Sequence, residues 1–191
     1  MGFPNSHFIP FLRDFLRLLV VNKNRTDKMQ EEGIFQEMES ELIKQGFSFE
    51  RMDFKRPWGG FFVIEESQAE KFITRYFDGE SALALTKGAK VSPKILIVLP
   101  QKRLSWQYHH RRSEVWRVAG GSVGIVRSDS DEQGDVVALK INDQVVLSKG
   151  ERHRLVGLDE VGIVAEIWQH TEPNHPSDED DIVRLQDDFG R

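Results

Sequence analysis

Residues 104–119 read LSWQYHHRRSEVWRVA, and this stretch decides how the rest of the chain is read. Leu104 to His109 alternates, so that as a β-strand it carries Gln107 and His109 on one face at two-residue spacing. Glu114 opens the next apolar run, where the same alternation puts Glu114, Trp116 and Val118 on a common face. His153 comes later, behind the turn-rich Ser148-Lys149-Gly150-Glu151-Arg152. Two imidazoles, a carboxylate and an amide oxygen together suit a borderline divalent ion, zinc first, with cobalt, manganese and iron(II) as alternatives. Thiolate ligation is excluded, because the chain has no cysteine.

Outward from this stretch, short apolar runs recur between turn residues: Ile95 to Leu99, Val115 to Ala119, Val123 to Arg127, Val136 to Ile141, Val145 to Leu147 and Ile163 to Trp168. That spacing predicts a β-sandwich or barrel. Asn142-Asp143 is a hairpin signal, and Ser128 to Gly134 reads as an exposed polar loop. Upstream, Ile34, Met38 and Leu42, with Phe35 and Ile43 beside them, predict an amphipathic helix from Lys28 to Gln45 that stops at Gly46. Phe61 to Ile64 reads as a strand. Ser67-Gln68-Ala69-Glu70 has the form of a capping box ahead of a short helix whose apolar face is Phe72, Ile73, Tyr76 and Phe77.

The chain resembles the cupin superfamily. Gln107-Tyr108-His109, Glu114 and Gly120 or Gly121 fill the frame of the first cupin motif, with Gln in place of its first His. Ser148 to His153 matches the second motif except that Ser148 replaces Pro, and Gly157 stands where Asn is usual. Within cupins, four stretches resemble the isomerase domain of the type II mannose-6-phosphate isomerases, which are often fused to a mannose-1-phosphate guanylyltransferase. These are Arg56-Pro57-Trp58-Gly59, Arg103 through Trp116, His153-Arg154-Leu155, and Glu179 to Arg184 closing in Phe189-Gly190-Arg191. Two departures stand out. Ser67 to Ser92 is an insertion, and Trp168 lies near a position where the family often has Gln.

The resemblance implies a mainly β, cupin-type double-stranded β-helix, a jelly-roll barrel with N-terminal helical additions. Residues 1–28 read as an N-terminal extension, with Met29 a candidate start, 29–53 as a helical segment, and 54–191 as the cupin domain with a helix inserted at about 67–92. It also implies a metal held by Gln107, His109, Glu114 and His153, and interconversion of mannose 6-phosphate and fructose 6-phosphate through an enediolate. Lys94, His110, Arg112 and Glu166 are the candidates for catalysis, and Arg112, Arg154 and Arg184 for binding the substrate. Alternation puts His110 on the opposite face from His109. The alternatives are an isomerase of another phosphosugar, such as a heptose phosphate, and a non-catalytic, metal-containing sugar-binding cupin. A homodimer is expected from the resemblance.

Composition sets bounds on partners. With a net charge of −5 and a pI near 5.7, the chain lacks the basic excess of a nucleic-acid binder. A small phosphosugar is the expected partner, drawn by a local set of cations: Arg103, Arg111, Arg112, Lys149, Arg152 and Arg154. The apolar stretch Phe8 to Val21 is interrupted by Arg13, Asp14 and Arg17, too short and too charged to span a bilayer, so no membrane partner is expected. The absence of cysteine is compatible with the reducing cytoplasm, the expected location.

Overall fold

The computed structural model describes residues 27–77, 85 and 90–189. The expected extension over residues 1–28, including Phe8 to Val21, falls almost wholly outside them. Helix α1 (Asp27–Lys44) buries Ile34, Phe35, Met38 and Leu42 on one side, whereas Ile43 is exposed. Its end is set by Gly46 at φ 77°: the Gly46 N–H reaches the Ile43 carbonyl at 2.8 Å and the Phe47 N–H the Leu42 carbonyl at 2.9 Å. That pair of bonds is a Schellman motif, and the positive φ is why glycine stands there. The helical segment therefore ends earlier than 53, because strand β1 (Phe49–Arg56) has already begun.

Beyond β1 the chain runs through β2 (Gly59–Ile64), helix α2 (Ala69–Tyr76), β3 (Val91–Val98), β4 (Trp106–His109), β5 (Arg112–Gly120) and β6 (Val123–Ser128). It continues as β7 (Val137–Leu139), β8 (Gln144–Leu147), β9 (Arg152–Gly157), β10 (Gly162–His170) and β11 (Ile182–Gln186). Two antiparallel sheets result, ordered β1-β2-β3-β10-β5-β8 and β11-β4-β9-β6-β7. This is the jelly-roll barrel that the spacing and the resemblance predict. Asn142, at φ 75°, does turn the chain, but β7 pairs with β6 and β8 with β5. The turn thus carries the chain from one sheet to the other instead of closing a hairpin. No capping box forms at α2 either. Gln68 occupies the cap position without a side-chain cap bond, and its amide instead ties Ser48 N–H and the Gly46 carbonyl at 2.8 and 3.0 Å.

Both faces of the six-stranded sheet are covered, which explains the almost unbroken apolar runs of β2, β3 and β10. One face, with Phe62, Ile64, Ile95, Ile97, Ile163, Ala165 and Ile167, packs with Leu42 of α1, Phe72 of α2 and Phe77 just past its end. The other, with Phe61, Val63, Leu96, Val98, Trp116, Val118 and Val164, packs between the sheets with Val123, Ile125 and Leu155. Alternation along β3 and β10 then sends Lys94, Glu166 and Trp168 to the face turned inside the barrel. A row of polar side chains in the barrel is thereby held by an apolar row behind it. Among the described residues, no helix is long and apolar enough to cross a membrane.

Candidate metal centre and active-site cavity

The two sheets contribute facing halves of one buried cluster. Gln107 on β4 lies directly across from His153 on β9, and His109 is two residues further along β4. Glu114 faces them from β5 of the other sheet. His109, Glu114 and His153 are each no more than 2% exposed, and their ligand atoms all lie within 4.8 Å of one another. His109 Nε2 is 3.1 Å from Glu114 Oε1, and His153 Nε2 is 3.4 Å from Glu114 Oε2. Ligand atoms held ~2.1 Å from one ion at tetrahedral or octahedral angles lie roughly 3.0–3.5 Å apart.

Tautomers provide a second test of fit. A carbonyl only accepts, so the 2.9 Å contact between His153 Nδ1 and Glu151 O places the proton on Nδ1. His153 Nε2 is then bare, buried and without a hydrogen-bond partner, facing a carboxylate oxygen. A guanidinium only donates, so the 3.1 Å contact with Arg112 Nη2 likewise leaves His109 Nε2 bare. Two bare imidazole nitrogens converging on one carboxylate repel it, and a cation between them relieves the repulsion. Orientation of a ligand imidazole through its other nitrogen is the usual support of a metal site, and His153 has it through Glu151 O, whereas His109 Nδ1 is buried without a partner. Burial lowers the His109 imidazole to about 4, against the pull of Glu114, which keeps it in the neutral form a metal requires. Burial alone would raise the Glu114 carboxyl, but His109, once protonated in acid, and the Arg112 guanidinium hold it well below its ordinary value. The group can therefore bind a divalent cation. Gln107 Oε1 accepts from Ser105 Oγ at 2.6 Å, which aims its amide at the same cavity.

That cavity, between the sheets, is lined by Gln107 and Glu114 together with Lys94, Arg112, Trp116, Glu166, Trp168, Glu179 and Arg184. Glu166 stands opposite Lys94 on β3 and Trp116 on β5. The Trp116 indole N–H donates to Glu166 Oε1 at 2.9 Å and lies 3.1 Å from Glu114 Oε2, so one donor joins two carboxyl groups. Burial, reinforced by the Glu114 charge, pushes the Glu166 carboxyl up to about 8. Burial also brings the Lys94 ammonium down to about 8, with Glu166 opposing the shift. The cavity thus contains a carboxyl that burial holds up and an ammonium that burial holds down, both brought toward neutrality, where each can exchange a proton.

The other sequence candidates fall differently. Arg112 lines the cavity, but its donors are engaged on protein. Nε reaches Glu114 Oε1 at 2.8 Å, Nη1 reaches Ser177 Oγ at 2.9 Å and Asp178 O at 3.2 Å, and Nη2 meets His109. It braces the cluster and leaves little to offer a phosphate. Arg154 is outside the cavity: fully buried, it spans Gln133 Oε1 and Gln186 O at 3.2 and 3.0 Å and fastens β11 to the sheet. His110 is exposed, with its ring edge-on to Tyr108 and its backbone N–H held by Asp181. Three more cations of the expected positive patch are likewise spent in ion pairs, Arg103 with Asp188, Arg111 with Asp178 and Asp181, and Arg152 with Asp131. Arg184 does line the cavity, half-buried on β11, and its Nε has no hydrogen-bond partner. Arg56 and Trp58, from the first of the four stretches that carry the resemblance, line the cavity as well. Missed from sequence were Ser105, Trp116 and Glu179. The alternation that places Glu114 inside places Trp116 inside too, and was the signal available for it.

Comparison with known proteins adds a family. A family model described as mannose-6-phosphate isomerase C-terminal matches residues 79–187. The xanthan biosynthesis protein XanB of Xanthomonas campestris pv. campestris is 31% identical over 108 residues, covering 56% of this chain and 21% of XanB. The mannose-1-phosphate guanylyltransferase ManC of Salmonella typhimurium is 28% identical over 108 residues, with 56% of this chain and 21% of ManC covered. The chain spans about a fifth of the length of the curated relatives it matches. Among solved structures, a cupin-superfamily sugar phosphate isomerase from Silicibacter pomeroyi is 15% identical, covering 42% of this chain and 51% of that one, with a TM-score of 0.37.

Proposed function

The chain belongs to the mannose-6-phosphate isomerase C-terminal family, and from that premise we propose that it is a metal-dependent aldose–ketose isomerase of a phosphorylated sugar, with mannose 6-phosphate and fructose 6-phosphate as the leading pair. The observation that carries the reading is the placing of Glu166 and Lys94, opposite each other on β10 and β3, in the same cavity as Glu114 of the His109–Glu114–His153 cluster. Isomerisation moves a proton from C2 to C1 and the carbonyl from C1 to C2. Glu166 as carboxylate takes the C2 proton, and the electron pair left behind forms the C1–C2 double bond while O1 becomes negative. Lys94 gives a proton to O1 and regains one from O2, and Glu166 returns its own to C1, so that both groups end as they began. A divalent ion held by His109, Glu114, His153 and Gln107 would supply Lewis-acid stabilisation of the enediolate charge. Arg184, with a free donor at the cavity, is the group for the phosphate.

The test is interconversion of mannose 6-phosphate and fructose 6-phosphate by purified protein, stripped with a chelator and then reloaded with zinc, cobalt or manganese. Turnover restored by metal in the wild type and absent in Glu166→Gln is the expected result. A folded, metal-loaded protein that interconverts no aldose and ketose phosphate would refute the reading.

A further inference from the structure

The Arg56-Pro57-Trp58-Gly59 stretch has a part in the cavity that neither the metal cluster nor the proton-transfer pair accounts for. Arg56 ends β1 and pairs with Gly59 across the turn. The buried Trp58 fixes that turn, its carbonyl accepting from the Leu99 N–H at 2.9 Å. Arg56 and Trp58 are thereby delivered to the cavity lining. The ion-pair partner of Arg56 is Asp53, whose Oδ2 is 2.8 Å from Nε, yet that Nε makes no hydrogen bond. Among the described residues no hydrogen bond engages its two Nη atoms either. Arg112, by contrast, has every nitrogen engaged on protein.

A second guanidinium reaches the cavity from the other sheet. Arg184 lies on β11 directly across from Gln107 on β4, so its side chain shares the inward face of Gln107, and its Nε is buried without a partner. Strands β1 and β11 are edge strands of the two different sheets. Two guanidinium groups with donors to spare thus enter one space from separate sheet edges, and such forked donors match the oxygens of a phosphate. The distance to the reacting groups suits a sugar phosphate as well. Arg56 Cζ and Lys94 Nζ lie 5.6 and 5.5 Å from the Phe61 ring centroid, so the two cations are separated by no more than twice that length. A hexose with its carbonyl end at Lys94 and Glu166 can place a 6-phosphate within that gap.

We propose that Arg56 and Arg184 together hold the phosphate of the sugar phosphate, one guanidinium from each sheet. The proposal rests on the isomerase reading above and deepens it, by giving the phosphate a second arginine and the Arg-Pro-Trp-Gly turn a role in binding.

Titration calorimetry with two probes tests it: D-mannitol 6-phosphate on the metal-loaded protein, and inorganic phosphate on the metal-stripped protein, where no ion can take the anion instead. Arg56→Ala and Arg184→Ala are each expected to weaken both probes by roughly tenfold or more, with metal content unchanged. Asp53→Asn, which removes the ion pair and keeps the guanidinium, is expected to bind both probes as wild type does. Arg56→Gln is the second variant should the alanine protein fail to fold, and the same loss is expected of it. A folded Arg56 variant with wild-type affinity would overturn the proposal, as would an equal loss in Asp53→Asn, which would mean that Arg56 acts only by holding the turn. Failure of wild type to bind D-mannitol 6-phosphate removes the phosphosugar reading. Inorganic phosphate binding that still needs both arginines would then uphold the anion subsite by itself, and binding of neither probe would overturn both.

Discussion

Replacing Glu166 with Gln in metal-stripped protein tests the electrostatics of the cavity without reference to any substrate. The folded chain keeps the Glu166 proton up to about pH 8, against an ordinary value of 4.5 in the unfolded chain. Between those values the folded state binds one proton more than the unfolded state, so stability falls as pH rises, by about 1.4 kcal/mol per pH unit. The stabilisation from this protonated acid is fully present below pH 4.5 and gone above about pH 8. A glutamine amide in its place would keep the shape and an acceptor for the Trp116 indole but could not ionise. His109, lowered to about 4, contributes a slope of the opposite sign that is common to both proteins and cancels in the difference.

Unfolding free energies from urea titrations at pH 5.5 and 7.5 supply the comparison. Relative to wild type, Glu166→Gln should gain roughly 3 kcal/mol between those two pH values, two units at one proton each. Parallel stability curves for the two proteins would mean that Glu166 is ionised in the fold throughout, and the acid–base pair would not exist.

Four further outcomes are expected. Glu166→Gln should lower isomerase turnover by about 10²–10⁴-fold while leaving bound metal unchanged, as measured by coupled assay and elemental analysis. Glu114→Gln and His153→Ala should each reduce metal stoichiometry after dialysis against zinc, and full occupancy in both would reject the ligand assignment. Asp181 accepts from the His110 and Arg111 N–H groups at 3.2 and 3.0 Å and from Ser177 Oγ at 2.6 Å, which holds its carboxyl down at about 2. Asp181→Ala should therefore cost about 2–4 kcal/mol at neutral pH in urea titrations, and less as the pH falls below 3.8 toward 2, where the wild-type carboxylate is itself protonated. Gly121, at φ 69°, would place a Cβ 1.8 Å from the Val161 carbonyl oxygen, so Gly121→Ala should lower the thermal midpoint by several degrees, corresponding to more than about 1 kcal/mol.

What could be read in the sequence was what alternation controls. A strand period of two put Gln107 with His109, Glu114 with Trp116, and His110 on the outside, and the structure has each of them so placed. The same period along β10 sends Glu166 and Trp168 to one face, and it needs no alignment to be seen. Strand β1 escaped because its sequence, FERMDFKR, is mostly charged and only half-buried, as befits an edge strand. The arginines show a different limit. Arg112, Arg154 and Arg184 were all candidates for binding the substrate, since a guanidinium that binds an anion and one that braces a fold look alike in sequence. Their fates were decided by residues 21 to 66 positions away: Ser177 and Asp178 for Arg112, Gln133 and Gln186 for Arg154. Of the three, only Arg184 has an unpartnered Nε at the cavity. Ring packing is less visible still: Trp168 stood out as lying near a position where the resembled family often has Gln, but that Lys94 and Arg112 sit against its ring, 3.0 and 3.4 Å from the centroid, depends on three strands meeting inside the barrel.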